Sequence, residues 1–89
     1  SMLSIEEKRA IIDDYKTHEG DTGSPEVQVA LLSTEIARLT GHLKVHRHDF
    51  ATRRSLLMKV GQRRRQLAYL NRHSVDRYQS LIKRLGLRR

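Results

Sequence analysis

The sequence predicts an all-α protein of four helices, in which three helices form an antiparallel bundle and the N-terminal first helix is mobile. Apolar residues recur at helical spacing through almost the whole chain, and no stretch alternates apolar and polar residues as a strand does. The only proline, Pro25, follows a serine, as at a helix start. We interpret the 89-residue chain as one domain, residues 2–89, with Ser1 left over from recombinant expression.

Two start signals define the first two helices. Ser4 followed by Glu7 is the pattern of a capping box, and the short, acidic helix behind it ends before Gly20. Residues 24–26, Ser-Pro-Glu, combine an N-cap hydroxyl, a proline at the first helical position and a carboxylate facing the helix dipole. The second helix should extend to about Val45. Its apolar seam, spaced by three and four residues, consists of Val29, Leu32, Ile36, Leu39 and Leu43.

Two more helices are predicted in the second half. The third begins near Asp49 or Phe50 and ends at His73-Ser74. Its apolar side is assigned to Leu56, Leu57, Val60, Leu67 and Leu70. Ser74 caps a fourth helix, whose apolar residues are Tyr78, Leu81, Ile82 and Leu85. Gly86 is predicted to end that helix in a left-handed conformation, with Leu87 folding back onto Ile82.

Acidic and basic residues are separated along the chain. Residues 1–37 hold three Lys or Arg against eight Asp or Glu, a net charge of −5, whereas residues 38–89 hold 15 against 2, a net charge of +13. Twelve of those 15 cations are arginine, whose planar guanidinium suits phosphates and base edges. Uncompensated positive charges repel one another in a compact domain unless a polyanion neutralises them. Nucleic acid is therefore the predicted partner.

Other classes of function lack their sequence signals. No apolar run approaches the ~20 residues of a membrane span, no signal peptide is recognised, and four aromatic residues are too few for a basic membrane-surface helix. The absence of cysteine fits the cytoplasm. His42 and His46 lie one helical turn apart, but the surrounding cations oppose a divalent ion, so we expect neither metal nor cofactor. No nucleophile–base pair or pair of carboxylates indicates an enzyme.

One side of the third helix is predicted to carry a stripe of guanidinium groups from Arg54, Arg65 and Arg72. At 100° per residue these lie within about 20° of one another. Tyr69 is on the same flank, where its ring can stack on a base or sugar. Arg53 and Arg64 point nearer the apolar side, so we expect their stems to lie along the bundle. The alternative interpretation of the stripe is a solvated charged face.

The loop before the second helix is a second candidate. Gly20 and Gly23 allow close backbone approach, and we expect free N–H groups at this helix start to suit an anion or a ribose oxygen. Thr22 and Gln28 add polar hydrogen-bonding groups. The alternative is a connector that only turns the chain and caps the helix.

Asp49 is a lone acid between the second and third helices, and its cationic neighbours are Lys44, Arg47, Arg53 and Arg54. Its structural role is the N-cap of the third helix. A carboxylate can also accept a hydrogen bond from the exocyclic amine of guanine, the one donor in a minor groove. RNA has a wide, shallow minor groove that permits such contacts, with His42 and the Thr52 hydroxyl as neighbours.

Four separated motifs also carry a family resemblance: Asp21–Leu32, His42–His46, Val60–Arg65 and Arg84–Arg89. In order and without gaps, they are similar to the family of the fifteenth small-subunit ribosomal protein of bacteria. The resemblance implies a three-helix core with a movable first helix. It further implies a primary binder of 16S ribosomal RNA that helps to start assembly of the platform, among the other platform proteins of the small subunit.

The resemblance also implies site residues. A three-way junction of the RNA would be held by Thr22, Gly23, Gln28, Arg65, Tyr69 and Arg72. A G·U/G·C element in an adjacent minor groove would be contacted by His42, Asp49 and Thr52. Further phosphate contacts are expected at Arg47, Arg53, Arg54 and Arg64. A bridge to large-subunit ribosomal RNA would use His46 and His48, and some bacterial members bind their own messenger RNA to repress translation. We expect a monomer when the protein is free.

One stretch departs from the family pattern. Many members have Asp-His-His-Ser-Arg-Arg-Gly where this chain has residues 49–55, Asp-Phe-Ala-Thr-Arg-Arg-Ser. Two histidines are therefore replaced, while Thr52 keeps the hydroxyl. The alternative function of a different class is a helical DNA-binding module of a nucleoid or regulatory type. It predicts base-contacting side chains near the start of a recognition helix and a dimer, and the third helix has neither Asn nor Gln near its start.

Overall fold

The computed structural model describes residues 3–87. In that range it contains four helices, α1 (Ile5–Tyr15), α2 (Pro25–Val45), α3 (Phe50–His73) and α4 (Val75–Leu85), and no strand. The predicted all-α fold class is confirmed, and the helices begin and end where the sequence signals place them. Ser1 and the final Arg88-Arg89 of the last motif lie outside the described residues.

The first two helix starts follow from local hydrogen bonds. Ser4 Oγ accepts from the Glu7 N–H at 3.1 Å, and Glu7 Oε1 accepts from the Ser4 N–H at 3.0 Å, so the predicted capping box is present. Ser24 Oγ accepts from the Val27 N–H at 3.3 Å, and Pro25 occupies the first turn of α2.

The later helix ends also match their signals. Ser74 ends α3 and starts α4: its N–H donates to the Leu70 carbonyl at 2.8 Å, and its Oγ accepts from the Arg77 N–H at 3.3 Å. Gly86 has a φ of 70°, and the Leu87 N–H donates to the Ile82 carbonyl at 2.8 Å. This is the predicted Schellman closure, which needs a left-handed residue at position 86.

Helices α2 and α3 run antiparallel along three side-chain pairs. Gln28 meets Gln66 at 2.9 Å, Ser33 meets Arg63 at 3.1 Å, and Glu35 meets Lys59 at 3.2 Å. Residue numbers rise along α2 as they fall along α3 in all three pairs, so each pair is consistent with an antiparallel arrangement. The α2–α3 hairpin is therefore held by polar contacts as well as by apolar packing.

The apolar core is centred on Val29, Leu70 and Leu81, with Tyr15, Leu67, Tyr78 and Leu85 packed against it. Of the predicted α2 seam, Val29 and Leu39 are buried and the others are half-buried. Leu57 was wrongly assigned to the apolar side of α3, because 65% of its surface is exposed. It stands about 140° around the helix from Leu70, so it faces solvent.

The first helix is docked. Leu3 is buried, and both terminal guanidinium nitrogens of Arg38 on α2, Nη1 and Nη2, donate to the Glu7 carboxylate. At the other end of α1, Arg84 Nη2 donates to the Asp14 carbonyl at 2.7 Å and its guanidinium lies 3.9 Å from the Tyr15 ring centroid. These contacts hold α1 against α2 and α4, and the mobility of α1 stays a prediction.

The separation of charge in the sequence is partly cancelled by folding. Within residues 3–87, three cations of the basic half pair with carboxylates of the acidic half: Arg38 with Glu7, Lys59 with Glu35, and Arg77 with Glu26. The expectation that all thirteen net positive charges are uncompensated is therefore wrong, since distant residues meet when the helices pack. The cations left over are concentrated on α3 and the loop before it.

Candidate nucleic-acid interface

The loop before α2 is organised around the buried carboxylate of Asp21, which is 5% exposed. Its Oδ2 accepts from the Thr17 N–H and hydroxyl at 2.9 and 3.0 Å. Its Oδ1 accepts from the N–H groups of Gly23 and Ser24 at 3.0 and 2.9 Å. Hydrogen bonds from Ser24 and Thr17 hold the pKa of Asp21 well below its ordinary value, so the loop is closed by an ionised internal anion.

This arrangement corrects one expectation. The N–H groups of Gly23 and Ser24 are not free for an external anion or ribose, because Asp21 already accepts from both. Thr22 is exposed, and a Cβ built on Gly23 would meet nothing within 4 Å. The loop therefore offers an open surface and the Thr22 side chain, with its backbone donors occupied from inside.

A chain of hydrogen bonds connects this loop to α3. Gln28 Nε2 donates to the Gly23 carbonyl at 2.7 Å, and Gln66 Nε2 donates to Gln28 Oε1 at 2.9 Å. Gln28 and Gln66 also line a groove of about 500 Å³ together with Arg65. The structure thus brings Gly23, Gln28 and Arg65 of the predicted junction set to one region.

Tyr69 and Arg72 continue that region along α3. Tyr69 is 44% exposed, and its ring centroid lies 4.0 Å from that of His73 at an interplanar angle of 33°. The Tyr69 carbonyl is an acceptor only, so His73 Nδ1, at 2.9 Å, carries the proton and donates to it. Two stacked rings therefore stand at the exposed end of α3, beside the exposed Arg72.

The predicted guanidinium stripe is exposed. Arg54, Arg65 and Arg72 all face solvent, and within residues 3–87 none of them forms an ion pair with a carboxylate. Arg63, on another side of α3, is half-buried and donates to Ser33 Oγ at 3.1 Å. Burial lowers the pKa of Arg63. It therefore has a packing role, while the stripe keeps its charge at the surface.

At the opposite end of α3, three predicted residues form one cluster. Asp49 caps the helix, with Oδ1 accepting from the Thr52 N–H at 3.1 Å. Asp49 Oδ2 accepts from the Thr52 hydroxyl at 2.6 Å and contacts His42 Nε2 at 2.8 Å. The prediction that His42, Asp49 and Thr52 are neighbours is confirmed, and the helix cap is what places them.

The ionised Asp49 carboxylate determines which atoms of this cluster donate hydrogen bonds. Hydrogen bonds from Thr52, and then from His42, lower the pKa of Asp49 from 3.8 to about 2. An ionised carboxylate only accepts, so both Thr52 Oγ1 and His42 Nε2 donate to it. The Thr52 hydroxyl oxygen and the second lone pair of Asp49 Oδ1 remain as acceptors.

The remaining predicted cations and histidines lie near the start of α3, except Arg64, which lies within the helix. Arg47, Arg53 and Arg54 are exposed next to the Asp49 cluster. Arg64 is exposed too, at the edge of a groove that Leu67 and Leu87 also line. The His46 ring packs on His42 with centroids 4.5 Å apart, and His48 lies 5.9 Å from Phe50. His46 and His48 are otherwise exposed in the loop between α2 and α3.

Three residues of this surface were missed by the sequence analysis. Gln66 was missed because its partner Gln28 is 38 positions away. Asp21 and His73 did have local signals. Asp21 lies two and three positions before the residues whose N–H groups donate to it. His73 lies four positions after Tyr69 on the same helix.

In the described part of the chain, no group of three or more His, Asp or Glu side chains is placed to hold a metal ion. Over the same residues, no helix combines the length and the apolar character that a membrane crossing requires.

The sequence model of one protein family, described as Ribosomal protein S15, matches residues 8–88. That range includes both ends of α3, the α2 loop and every predicted site residue. The chain therefore belongs to the ribosomal protein S15 family, whose members are non-enzymatic components of the small subunit of the cytoplasmic ribosome that bind 16S rRNA and other ribosomal proteins.

Proposed function

We propose that this protein recognises the shape of folded 16S rRNA by holding two RNA elements at a fixed separation. One element is a three-way junction at Thr22, Gly23, Gln28, Arg65, Tyr69 and Arg72, and the other is a G·U/G·C minor groove at His42, Asp49 and Thr52. The observation that carries the proposal is that both sets attach to α3, a continuous helix of 24 residues. From Thr52 to Tyr69 its axis spans about 26 Å at 1.5 Å per residue.

The minor-groove contact follows from the proton positions around Asp49. His42 and Thr52 donate inward, so acceptors remain at the surface. In a minor groove the only base donor is the exocyclic amine of guanine, and A·U pairs present acceptors alone. A surface of acceptors therefore favours a guanine-containing step and repels other steps.

The junction contact rests on a different chemistry. Arg65 and Arg72 are exposed cations without carboxylate partners in residues 3–87. They suit phosphates that crowd together where RNA helices meet. Tyr69, backed by His73, provides a ring for an unstacked base or a sugar. The open backbone at Gly23 allows RNA to approach closely.

Two contacts on one rigid helix select a conformation. An RNA that samples open and closed junctions is shifted towards the form that reaches both ends of α3. The size of this shift is set by the difference between the protein's affinities for the two forms. This is how the protein would help to start platform assembly. A folded segment of its own messenger RNA with the same two features would compete for the same surfaces.

Further contacts of the same proposal use the loop between α2 and α3. His46, Arg47 and His48 are exposed there, which supports a contact with large-subunit rRNA across the subunit interface. Arg53, Arg54 and Arg64 would add phosphate contacts along α3. The free protein is expected to be a monomer.

The test compares a minimal 16S three-way junction with the same RNA closed into a continuous duplex. Wild-type protein should bind the junction more tightly, by at least tenfold at one stated salt concentration. Arg72→Ala and Tyr69→Ala should reduce that preference. Lys83→Ala is the matched control: it removes one exposed cation from α4, so it should weaken binding to both RNAs equally through the lost charge alone.

Equal affinity for both RNAs in the wild type would refute shape recognition. Shape recognition would also be refuted if Arg72→Ala weakened binding to both RNAs equally, as Lys83→Ala is expected to do. A duplex DNA of the same length completes the comparison, because preference for it would instead support the DNA-binding alternative.

A further inference from the structure

Phe50 is the only phenylalanine in the chain, and 62% of its surface is exposed. It is the first residue of α3, directly after Asp49. Its ring centroid lies 5.9 Å from that of His48, with an interplanar angle of 59°. The apolar core does not use this ring, and the two-site recognition proposed above does not use it either.

The surroundings of Phe50 are cationic. Arg47, Arg53 and Arg54 are exposed and, in the part of the chain that the structure describes, unpaired with any carboxylate. The adjacent acid is Asp49, which is occupied by Thr52 and His42. Any partner that covers the ring must therefore be compatible with three neighbouring guanidinium groups.

From this arrangement we infer that Phe50 and His48 form a stacking platform for one unpaired RNA base. An aromatic face among arginines is the arrangement by which proteins hold unstacked nucleotides, with the cations on the backbone and the ring on the base. An apolar protein surface is disfavoured because it would bury the ring while desolvating the guanidinium groups. The inference rests on the proposed function, since the Asp49 cluster brings RNA to this end of α3.

The base can come from two sources. It is either a bulged nucleotide of the RNA whose minor groove lies on Asp49 or a nucleotide of a second RNA that approaches the exposed loop. Both present the same chemistry, a purine or pyrimidine face, so the experiment needs one arm for each.

For the first source, the probes are duplexes that contain the G·U/G·C element, one fully paired and others with a single unpaired 2-aminopurine moved stepwise along one strand. For the second source, a hexa-adenylate that carries 2-aminopurine is added to the complex of the protein with the paired duplex. The protein variants are Phe50→Leu, which keeps apolar bulk without a π face, and Phe50→Tyr, which restores the ring. Leu57→Ala is the control, since that side chain is as exposed, at 65%.

We expect 2-aminopurine fluorescence to fall on binding in one of the two arms. Phe50→Leu should weaken that binding about 5- to 100-fold, while Phe50→Tyr and Leu57→Ala stay near the wild type. The paired duplex should bind all four proteins alike. Circular dichroism verifies that each variant keeps its helices.

The inference is overturned if Phe50→Leu binds every probe as the wild type does, or if tyrosine fails to restore what leucine loses. The proposed function fails in a different way: the paired duplex with its G·U/G·C element would bind no better than a duplex without it, whatever stands at position 50.

Discussion

The side-chain amide of Gln66 on α3 donates a 2.9 Å hydrogen bond to Oε1 of Gln28 on α2. The other end of the Gln28 amide donates to the Gly23 carbonyl at 2.7 Å. Because both ends of the amide are engaged, its orientation is fixed and the loop before α2 is held at a set position relative to α3. Gln66 thus positions the loop that we propose to face RNA, although Gln66 is not part of the predicted contact set.

Gln66→Met should therefore weaken junction binding while leaving the minor-groove contact intact. The substitution keeps the side-chain length and removes the amide, so Gln28 loses the donor that fixes it. We expect a two- to tenfold loss of affinity for the three-way junction, the range of a single neutral hydrogen bond. Equilibrium binding to the junction and to a G·U/G·C duplex measures both effects. Gln79→Met, at an exposed position on α4 outside this groove, is the control, and an equal loss in the two variants would contradict the positioning role.

Substitution of Asp21 should lower the stability of the protein, whereas substitution of the adjacent Thr22 should weaken RNA binding. Asp21→Ala leaves the N–H groups of Thr17, Gly23 and Ser24 without their acceptor, so it should destabilise the protein more than the N-cap substitution Ser24→Ala, which costs about 1 kcal/mol. Thr22→Ala alters an exposed side chain and should leave stability unchanged while weakening junction binding. Urea unfolding gives the first quantity and RNA titration the second. A stable Asp21→Ala protein would show that the loop closes without its internal anion.

Features that depend on near neighbours in sequence were predictable. The Ser4–Glu7 box, the Asp49 cap and the Gly86 turn each involve residues at most five positions apart, where backbone geometry alone brings the groups together. The contact of His42 with Asp49 spans seven positions. This contact could be predicted because both residues flank one short loop.

Features that depend on helix packing were not predictable. The ion pair between Glu7 and Arg38 joins residues 31 positions apart, and that between Glu26 and Arg77 joins residues 51 apart. One sequence carries no information on which of many exposed acids meets which cation. Leu57 was misassigned for another reason. It was grouped with Leu70 by apolar character, although its angular position around the helix places it away from Leu70.

The docking of α1 should depend on acid pH through Glu7. The hydrogen bond from Arg38, and then that from the Ser4 backbone, lower the pKa of Glu7 from 4.5 to about 2 in the folded protein. Since the folded pKa lies below the unfolded one, the stabilisation is present above about pH 4.5 and is lost as the pH falls towards 2. Glu7→Gln keeps a carbonyl oxygen for the Ser4 N–H and removes the charge.

The urea midpoints of the wild type and Glu7→Gln should therefore differ most above pH 4.5 and converge near pH 2. Because the pair is solvent-accessible, high salt should reduce the difference. Glu6→Gln, which removes a neighbouring exposed charge, is the control. A difference between the wild type and Glu7→Gln that is constant across this pH range would argue against the ion pair as the source of the effect.

Thr52→Val should reveal whether the hydroxyl at this position contacts guanine. Valine keeps the branched shape and the backbone N–H that Asp49 caps, but it removes the hydroxyl whose oxygen we propose as the acceptor for guanine. Binding to a G·U/G·C duplex should weaken roughly tenfold, within the range of one good base contact. Thr52→Ser retains the hydroxyl without the methyl group and should bind as the wild type does.

Replacing guanosine by inosine removes the exocyclic amine, so wild-type protein should lose a similar factor in affinity for the inosine duplex. Thr52→Val should lose nothing further there, because the donor and the acceptor of the same hydrogen bond are then both absent. Independent, multiplicative losses would instead mean that the Thr52 hydroxyl does not act through the guanine amine, neither directly nor by orienting Asp49.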